Sequence, residues 1–496
     1  MGLVIRQSIS TTIISYLGVL IGYVNLLYLF PRFLQPEQVG LLRTIQDAAI
    51  LFAPFAQMGL AQSIFRYYPL LAKDTKNEAG FINLILLLAC AGFGFFLVLF
   101  FLFKQSLLNY FQENAHDIIQ YTTIILWLTF ILLITALLEA YSRSLLKTVF
   151  PNLLREVVVR VLLAILVLLY FQGWLSFNDF IIGTALAYVA CLLALILYLA
   201  AQKKMSFSMD WSLLHKPVFK ELLRYSFLSF AGTAGMIIIG KIDSLMVAAM
   251  AGLTAVAVYT TAFYMATVIE IPKRALSQIA FPLIARAFEK NDLKDIYNIY
   301  QKTSVNQFII GSLLLIGVYI NLDHIFALMP KKEVYEAGRW VVVIVGAGKL
   351  MDMLFGPSSE IIVLSRYYWF NIILILLLAV TVVVANNLMI PAYGINGAAA
   401  GAALALALFN VAKFLFIYFK LHMQPFTIAT LKVLAIALIT VALNDWLLVK
   451  INGTIPDLLF RSAVVTIFFA TLIYVSKASP DGSALVHRLL TRLRKR

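Results

Sequence analysis

About fourteen runs of roughly twenty apolar residues follow one another along the chain, and this succession limits what it can become. A helix rising 1.5 Å per residue needs about 20 such residues to cross the hydrocarbon core of a bilayer. On that ruler the first six spans lie near residues 9–30, 39–63, 79–103, 118–140, 153–171 and 180–201. Six more lie near 223–250, 254–285, 304–322, 338–364, 367–387 and 397–419, and the last two near 427–448 and 456–476. The expectation is an all-α integral membrane protein. Composition agrees, since 62% hydrophobic residues and a mean hydropathy of +0.92 exceed what a soluble protein of 496 residues needs.

The net charge of +15 does not indicate nucleic acid, because the basic residues sit in short loops and in the tail rather than in one patch. They follow the positive-inside bias. With the N-terminus inside, about 25 Lys and Arg fall in cytoplasmic segments against about 7 outside. Arg66, Lys73, Lys76, Arg143, Lys147, Lys290 and Lys294 belong to the inside set, and Lys331 and Lys332 to the outside. Both termini are then expected in the cytoplasm. The first hydrophobic stretch has no charged start followed by a small-residue cleavage site, so it is expected to be a retained span. The tail after Ser483, with Leu485, Leu489, Leu490 and Leu493 on one face, reads as a solvated basic tail or an interfacial helix.

The second half of the chain echoes the first. Arg6, Ser8, Gly22, Asn25 and Leu27 recur as Arg224, Ser226, Gly240, Asp243 and Leu245, at an offset of 218 residues. Leu60-Ala-Gln62-Ser-Ile-Phe65 recurs as Leu276-Ser-Gln278-Ile-Ala-Phe281 at an offset of 216. A duplicated membrane half with charges in its spans is a transporter pattern. The expected division is 1–201, a basic connector over 202–222, 223–421, two further spans within 422–476, and a tail over 477–496.

Charge within hydrocarbon costs about 3 kcal/mol per residue, so such groups face water or one another. Five pairs stand at helix-neighbour spacing: Arg43 with Asp47, Glu139 with Arg143, Glu156 with Arg160, Glu270 with Arg274, and Lys349 with Asp352. Pairs close to the cytoplasmic ends read as mutual neutralisation. Arg43, Lys241, Asp243, Arg274, Lys349 and Asp352 lie deeper and read as functional. The surplus is positive, since local pairing leaves Lys273 uncancelled and gives Lys241 only a share of Asp243. Spare guanidinium and ammonium groups suit an anionic guest such as a phosphate or diphosphate. The candidate binding groups are therefore Arg43, Lys241, Arg274 and Lys349, supported by Asp47, Asp243, Glu270 and Asp352. Tyr16, Tyr23, Tyr259, Tyr264 and Gln278 share those helices, where sugar contact and plain packing are both open. Gly397 and Gly401, four apart, mark close helix contact.

Enzyme motifs are missing. Gly346-Ala-Gly348-Lys349 lies inside a span and lacks the rest of a phosphate-binding loop, and no serine elbow appears. Neither the five histidines nor Cys90 and Cys191 have metal-ligand or disulfide spacing, so no cofactor and no metal is expected.

Pro31-Arg-Phe-Leu-Gln-Pro-Glu-Gln-Val-Gly40-Leu, then Met58-Gly59-Leu60 and Arg66-Tyr67, resembles the first hairpin of bacterial polysaccharide flippases. Tyr259 with Pro272, Phe281-Pro282 and Pro391-Ala-Tyr-Gly394-Ile-Asn-Gly397 extend the likeness through most of the chain. These flippases belong to the multidrug/oligosaccharidyl-lipid/polysaccharide exporter superfamily, close to the O-antigen (Wzx-type) members. The resemblance implies two six-helix lobes in a pseudo-twofold repeat, facing a central cavity, with two extra C-terminal helices. It places the family's basic cavity on Arg43, Lys241, Arg274 and Lys349, most readily on Arg274 beside Pro272. The implied activity is transport of a polyprenyl-diphosphate-linked oligosaccharide, an O-antigen, capsule or exopolysaccharide unit, across the bacterial cytoplasmic membrane. Membrane lipid and other glycan-assembly proteins are the implied partners, nucleic acid is not, and proton or sodium exchange at Asp243 or Asp352 stays open. A multidrug exporter of the same superfamily and a membrane glycosyltransferase or glycan polymerase are the alternatives. The first would need an acidic cavity. The second is disfavoured by short outside loops.

Overall fold

The computed structural model describes residues 2–71, 75–202, 217–447 and 451–478. Lys73, most of the 202–222 connector and the tail after residue 478 lie outside the described residues. Among the described residues every regular element is helical. Ten helices among the described residues are long and apolar enough to cross a membrane, or eleven when Lys332–Leu354 and Ser358–Leu364, bent by 48°, count as one span. The protein is a multi-pass membrane protein.

The expected count of fourteen differs from ten in four places, each with a physical reason. The Lys332–Leu354 and Ser358–Leu364 pair is one. Tyr368–Leu421 runs 54 residues, about 80 Å at 1.5 Å per residue and far more than one crossing needs. It turns at Gly394, whose φ of 57° and ψ of −134° are outside helical space. The segment 149–171 is divided by a π-helical turn at Leu154–Val158, and Ile428–Asn444 is a shorter apolar helix.

The chain forms two compact units, Met1–Ala257 and Val258–Arg496. In the first, the helix Pro36–Gln57 is central, packed against Thr122–Ser144, Thr75–Phe111 and Pro217–Ala251. It starts with Pro36 in its first turn and a capping box of Gln35 and Gln38, and stops at Met58, which is left-handed with φ 48°. Such a buried helix can carry polar groups only where partners meet them, and it buries Thr44, Gln46 and Asp47. Pro217–Ala251 thus packs within the first unit, although it follows the connector in sequence. Gly40 permits this packing region to close, since a Cβ there would overlap the Leu253 carbonyl oxygen.

In the second unit, Leu293–Ile320 packs against Ile271–Glu289, Arg339–Leu354 and Ile428–Leu447. The long helix Tyr368–Leu421 lies along Arg339–Leu354 and Ser358–Leu364. Its small residues do what their spacing suggests. A Cβ on Gly397 would overlap the Met389 carbonyl oxygen, and one on Gly401 would meet the Asn386 Oδ1 at 2.9 Å, so the two arms close on each other across Gly394. A core of Ala280, Ile284, Ile296, Tyr300, Ile361, Ile362 and Ile417 fills one end of this unit.

Candidate functional site

Two charged clusters stand inside the helices, one in each unit. In the first, Asp47 is 7% exposed and accepts from Lys241 Nζ at 2.5 Å and from Ser244 Oγ at 2.7 Å. Lys241 therefore meets Asp47 across helices. Asp47 was expected to serve Arg43 one turn earlier on its own helix. Instead its two oxygens go to Pro217–Ala251. Arg43 lies with its guanidinium 5.7 Å from the Phe30 ring and NH1 3.4 Å from Gln46 Oε1. Asp243 is buried at 5% exposure. Nearby in the same unit, Glu139 meets both Arg143, at 3.5 Å, and Arg155, at 2.8 Å, while Glu156 meets Arg160 at 3.0 Å. The neighbour pairs at these positions form as their spacing predicts.

In the second unit the expected Lys349–Asp352 neighbour pair does not form. Lys349 pairs with Glu270, and Asp352 with Lys273. Residues 270 and 273 read acid then base, and 349 and 352 read base then acid. Three residues along each helix cover most of a turn, so the two helices lock by crossed pairs rather than each neutralising itself. Lys273, expected to remain uncancelled, is thereby matched. Pro272 sits in the first turn of Ile271–Glu289, where its missing N–H costs no hydrogen bond, and a 3-10 turn at Val268–Glu270 leads into it. Arg274, on the same first turn, is 71% exposed and touches only the edge of Glu270, Nε to Oε1 at 3.4 Å.

Side-chain exposure falls steadily through this cluster. Arg274 is 71% exposed, Glu270 and Lys349 20%, Lys273 19%, Asp352 13%, and Lys413 2%. Lys413, on Tyr368–Leu421, was not anticipated. Its Nζ donates to Ser359 Oγ at 3.1 Å, lies 4.0 Å from Asp352 Oδ1, and is 4.2 Å from the Phe409 ring centre. The signal was in the sequence, for Lys413 is the single charged residue of the 397–419 span.

A third set was also missed. Asp457 accepts from His324 Nε2 at 2.7 Å, Arg461 Nε at 2.9 Å and the Ile451 amide at 3.1 Å, and Arg461 also donates to Asn444. It fastens the last two helices to the helix Leu322–Leu328. The candidate aromatic groups divide, with Tyr259 buried at 2% and Tyr16 exposed at 56%. Among the described residues no group of three His, Cys, Asp or Glu is arranged to hold a metal.

This order of helices, with its broken spans, is a fold shared with solved structures. One solved structure, a lipid II flippase MurJ in an inward closed conformation, matches with a TM-score of 0.73 at 13% identity. It covers 94% of this chain and 99% of its own. A multidrug resistance MATE family transporter of the MOP superfamily, inward-facing, matches with a TM-score of 0.62 at 16% identity, covering 82% and 94%. A mutant form of the Vibrio cholerae MATE transporter VcmN gives 0.52 at 15% identity, covering 85% and 98%. No curated protein matches by sequence. The chain belongs to the polysaccharide biosynthesis protein family, whose model matches residues 4–288.

Proposed function

We propose that the protein is a flippase that moves a polyprenyl-diphosphate-linked oligosaccharide across the bacterial cytoplasmic membrane by alternating access. The observation that carries this is the state of the charges in a member of a polysaccharide biosynthesis family. Asp47, Glu270 and Asp352 are each committed to a lysine, while the Arg274 guanidinium is exposed and loosely held. A guanidinium beside neutralised pairs presents a forked cation to a diphosphate. Arg43, Lys241 and Lys349 are the further cations of this reading, with Asp47, Asp243, Glu270 and Asp352 supporting them. An anionic head group moving outward runs electrically downhill, by about 2.3 kcal/mol per charge per 100 mV. Nucleotide hydrolysis is then unnecessary. Fourteen crossings with both termini cytoplasmic belong to the same reading.

The test is removal of the protein from its cell. Lipid-linked glycan should accumulate on the cytoplasmic face and surface glycan should fall, and complementation should reverse both. Unchanged surface glycan, with raised sensitivity to cationic drugs, would favour the multidrug exporter instead.

A further inference from the structure

We propose that an apolar groove in the first unit holds one chain of an anionic phospholipid, whose head group is bound by Arg66, Lys220 and Arg224. The groove has a volume of about 450 Å³ and is walled by Thr75–Phe111, by Pro217–Ala251 and by the turn that joins Pro36–Gln57 to Leu60–Leu71. The sequence explains the hollow. Leu88, Ala91, Gly92 and Phe95 stand at helix-neighbour spacing on one face of Thr75–Phe111, so two small residues lie between two large ones. Gly92 lets that helix approach Pro36–Gln57, since a Cβ there would lie 2.5 Å from the Ala56 carbonyl oxygen. At the turn, Gly59 is left-handed with φ 78°, and a Cβ on it would overlap the Ser226 carbonyl oxygen. The turn is thereby seated directly against Pro217–Ala251.

Polar groups at this contact satisfy one another and leave the groove to hydrocarbon. Ser226 is the single polar side chain in the lining among the described residues, and its hydroxyl is shared with Ser63 Oγ at 2.6 Å. Gln62, beside Ser63, donates to Thr233 Oγ1 at 3.1 Å. Phe95 and Phe227 are exposed, so the groove is open to a chain from the bilayer. At about 30 Å³ for each water-sized group, the volume takes roughly fifteen methylenes, the length of one acyl chain. Within a membrane burial alone gives such a chain no advantage, and close packing holds it.

Selectivity comes from the head group. Lys220, Leu223, Arg224 and Phe227 follow the same helix-neighbour spacing along Pro217–Ala251, with Lys220 about 10 Å before Phe227 at 1.5 Å per residue. The stripe that lines the groove thus runs into two cations at its connector end. Arg66 joins them on the same helix, its guanidinium 4.6 Å from the Tyr225 ring centre. All three cations are exposed, and among the described residues none of them is in an ion pair, although Glu221 adjoins Lys220. Guanidinium groups suit a phosphate, which they meet through paired N–H donors. The positive-inside bias directs this end to the cytoplasmic leaflet, whose surface is anionic and where each Lys or Arg strengthens attachment about fivefold. Bound there, the lipid bridges Thr75–Phe111 and Pro217–Ala251 and stabilises the first unit.

The test uses the full chain, purified and delipidated in detergent, with phosphatidylglycerol or zwitterionic phosphatidylcholine of the same acyl chains added back. Native mass spectrometry counts the retained lipids, and thermal unfolding reports their effect on the fold. Wild type should carry one tightly held phosphatidylglycerol, preferred at least about tenfold over phosphatidylcholine, and its Tm should rise with the anionic lipid. Ala91→Phe, which fills the hollow, should lose that molecule. Lys220→Gln with Arg224→Gln leaves the hollow intact, so it should weaken phosphatidylglycerol about 25-fold, fivefold for each cation, and leave phosphatidylcholine unchanged. The Tm of each variant without lipid shows that it is folded. Equal retention of the two lipids by wild type, or undiminished phosphatidylglycerol on the double variant, would overturn the proposal. So would a polyprenyl phosphate that displaces phosphatidylglycerol from wild type and is itself lost in Ala91→Phe, because the groove would then belong to a different lipid.

Discussion

Lys349 makes its ion pair with Glu270, 79 residues earlier, and leaves Asp352, three residues later, to Lys273. Helix spacing puts Lys349 and Asp352 near one face, yet each finds a stronger partner on the neighbouring helix. Thermodynamic coupling should follow the contacts. In double-mutant cycles of thermal stability on purified protein, Glu270→Gln with Lys349→Met should couple by about 1–3 kcal/mol, as should Asp352→Asn with Lys273→Met. Lys349→Met with Asp352→Asn should couple by less than about 0.5 kcal/mol. Coupling concentrated in the 349–352 pair would restore local neutralisation.

Arg274 carries the sharpest functional expectation. It is 71% exposed, so its replacement should shift stability by no more than about 0.5 kcal/mol. Export should nevertheless be abolished in Arg274→Ala, partly kept in Arg274→Lys and nearly lost in Arg274→Gln, because an ammonium keeps the charge but not the fork. Glu270→Gln should be milder. The readout is surface glycan normalised to protein in the membrane, and normal export by Arg274→Ala would remove this residue from the site.

Much of this architecture was legible in the sequence because lipid imposes a length on apolar runs, and neighbour pairs such as Glu156 with Arg160 need no tertiary information. Gly397 and Gly401 likewise announced a close approach. The crossed pairs were not legible, since spacing says which residues share a face but not what faces them. Lys413 could have been found as the lone charge of its span. His324 could not, for its partner Asp457 is 133 residues away and neither position has a motif.

Gly40 is set by packing, with the Leu253 carbonyl oxygen inside the space that a Cβ would take. Backbone cannot yield as a flexible side chain does, so Gly40→Ala should cost at least about 1–3 kcal/mol and lower the amount of folded protein in the membrane. Gly94, which has nothing within 4 Å of a Cβ, is the control, and Gly94→Ala should express normally. Equal behaviour of the two variants would show that the helices can part at Gly40 without loss.

Orientation can be read directly. With both ends cytoplasmic, a cysteine replacing Lys332 should react with a membrane-impermeant reagent in intact cells, and one replacing Ser212 should not. Cys90 is exposed and Cys191 buried, so the background should first be cleared with Cys90→Ser. Labelling at 212 with protection at 332 would invert the arrangement.

The final prediction concerns the fastening of the last two helices. Asp457 is 5% exposed and Arg461 7%, and the carboxylate also holds His324 and the Ile451 amide. Removing only the acid strands a buried guanidinium, which costs about 3–5 kcal/mol, whereas removing both charges leaves no uncompensated ion. Asp457→Ala should therefore be more destabilised than the double variant Asp457→Leu with Arg461→Met, although the double variant departs further from the native sequence. His324→Ala should be mildest, because Arg461 and the Ile451 amide still satisfy the carboxylate. Thermal unfolding of the three purified variants, with limited proteolysis between residues 421 and 454, gives the ranking. A double variant no more stable than Asp457→Ala would mean that the helices are held by apolar packing around Ile436, Val465 and Phe469, and that the charges contribute little.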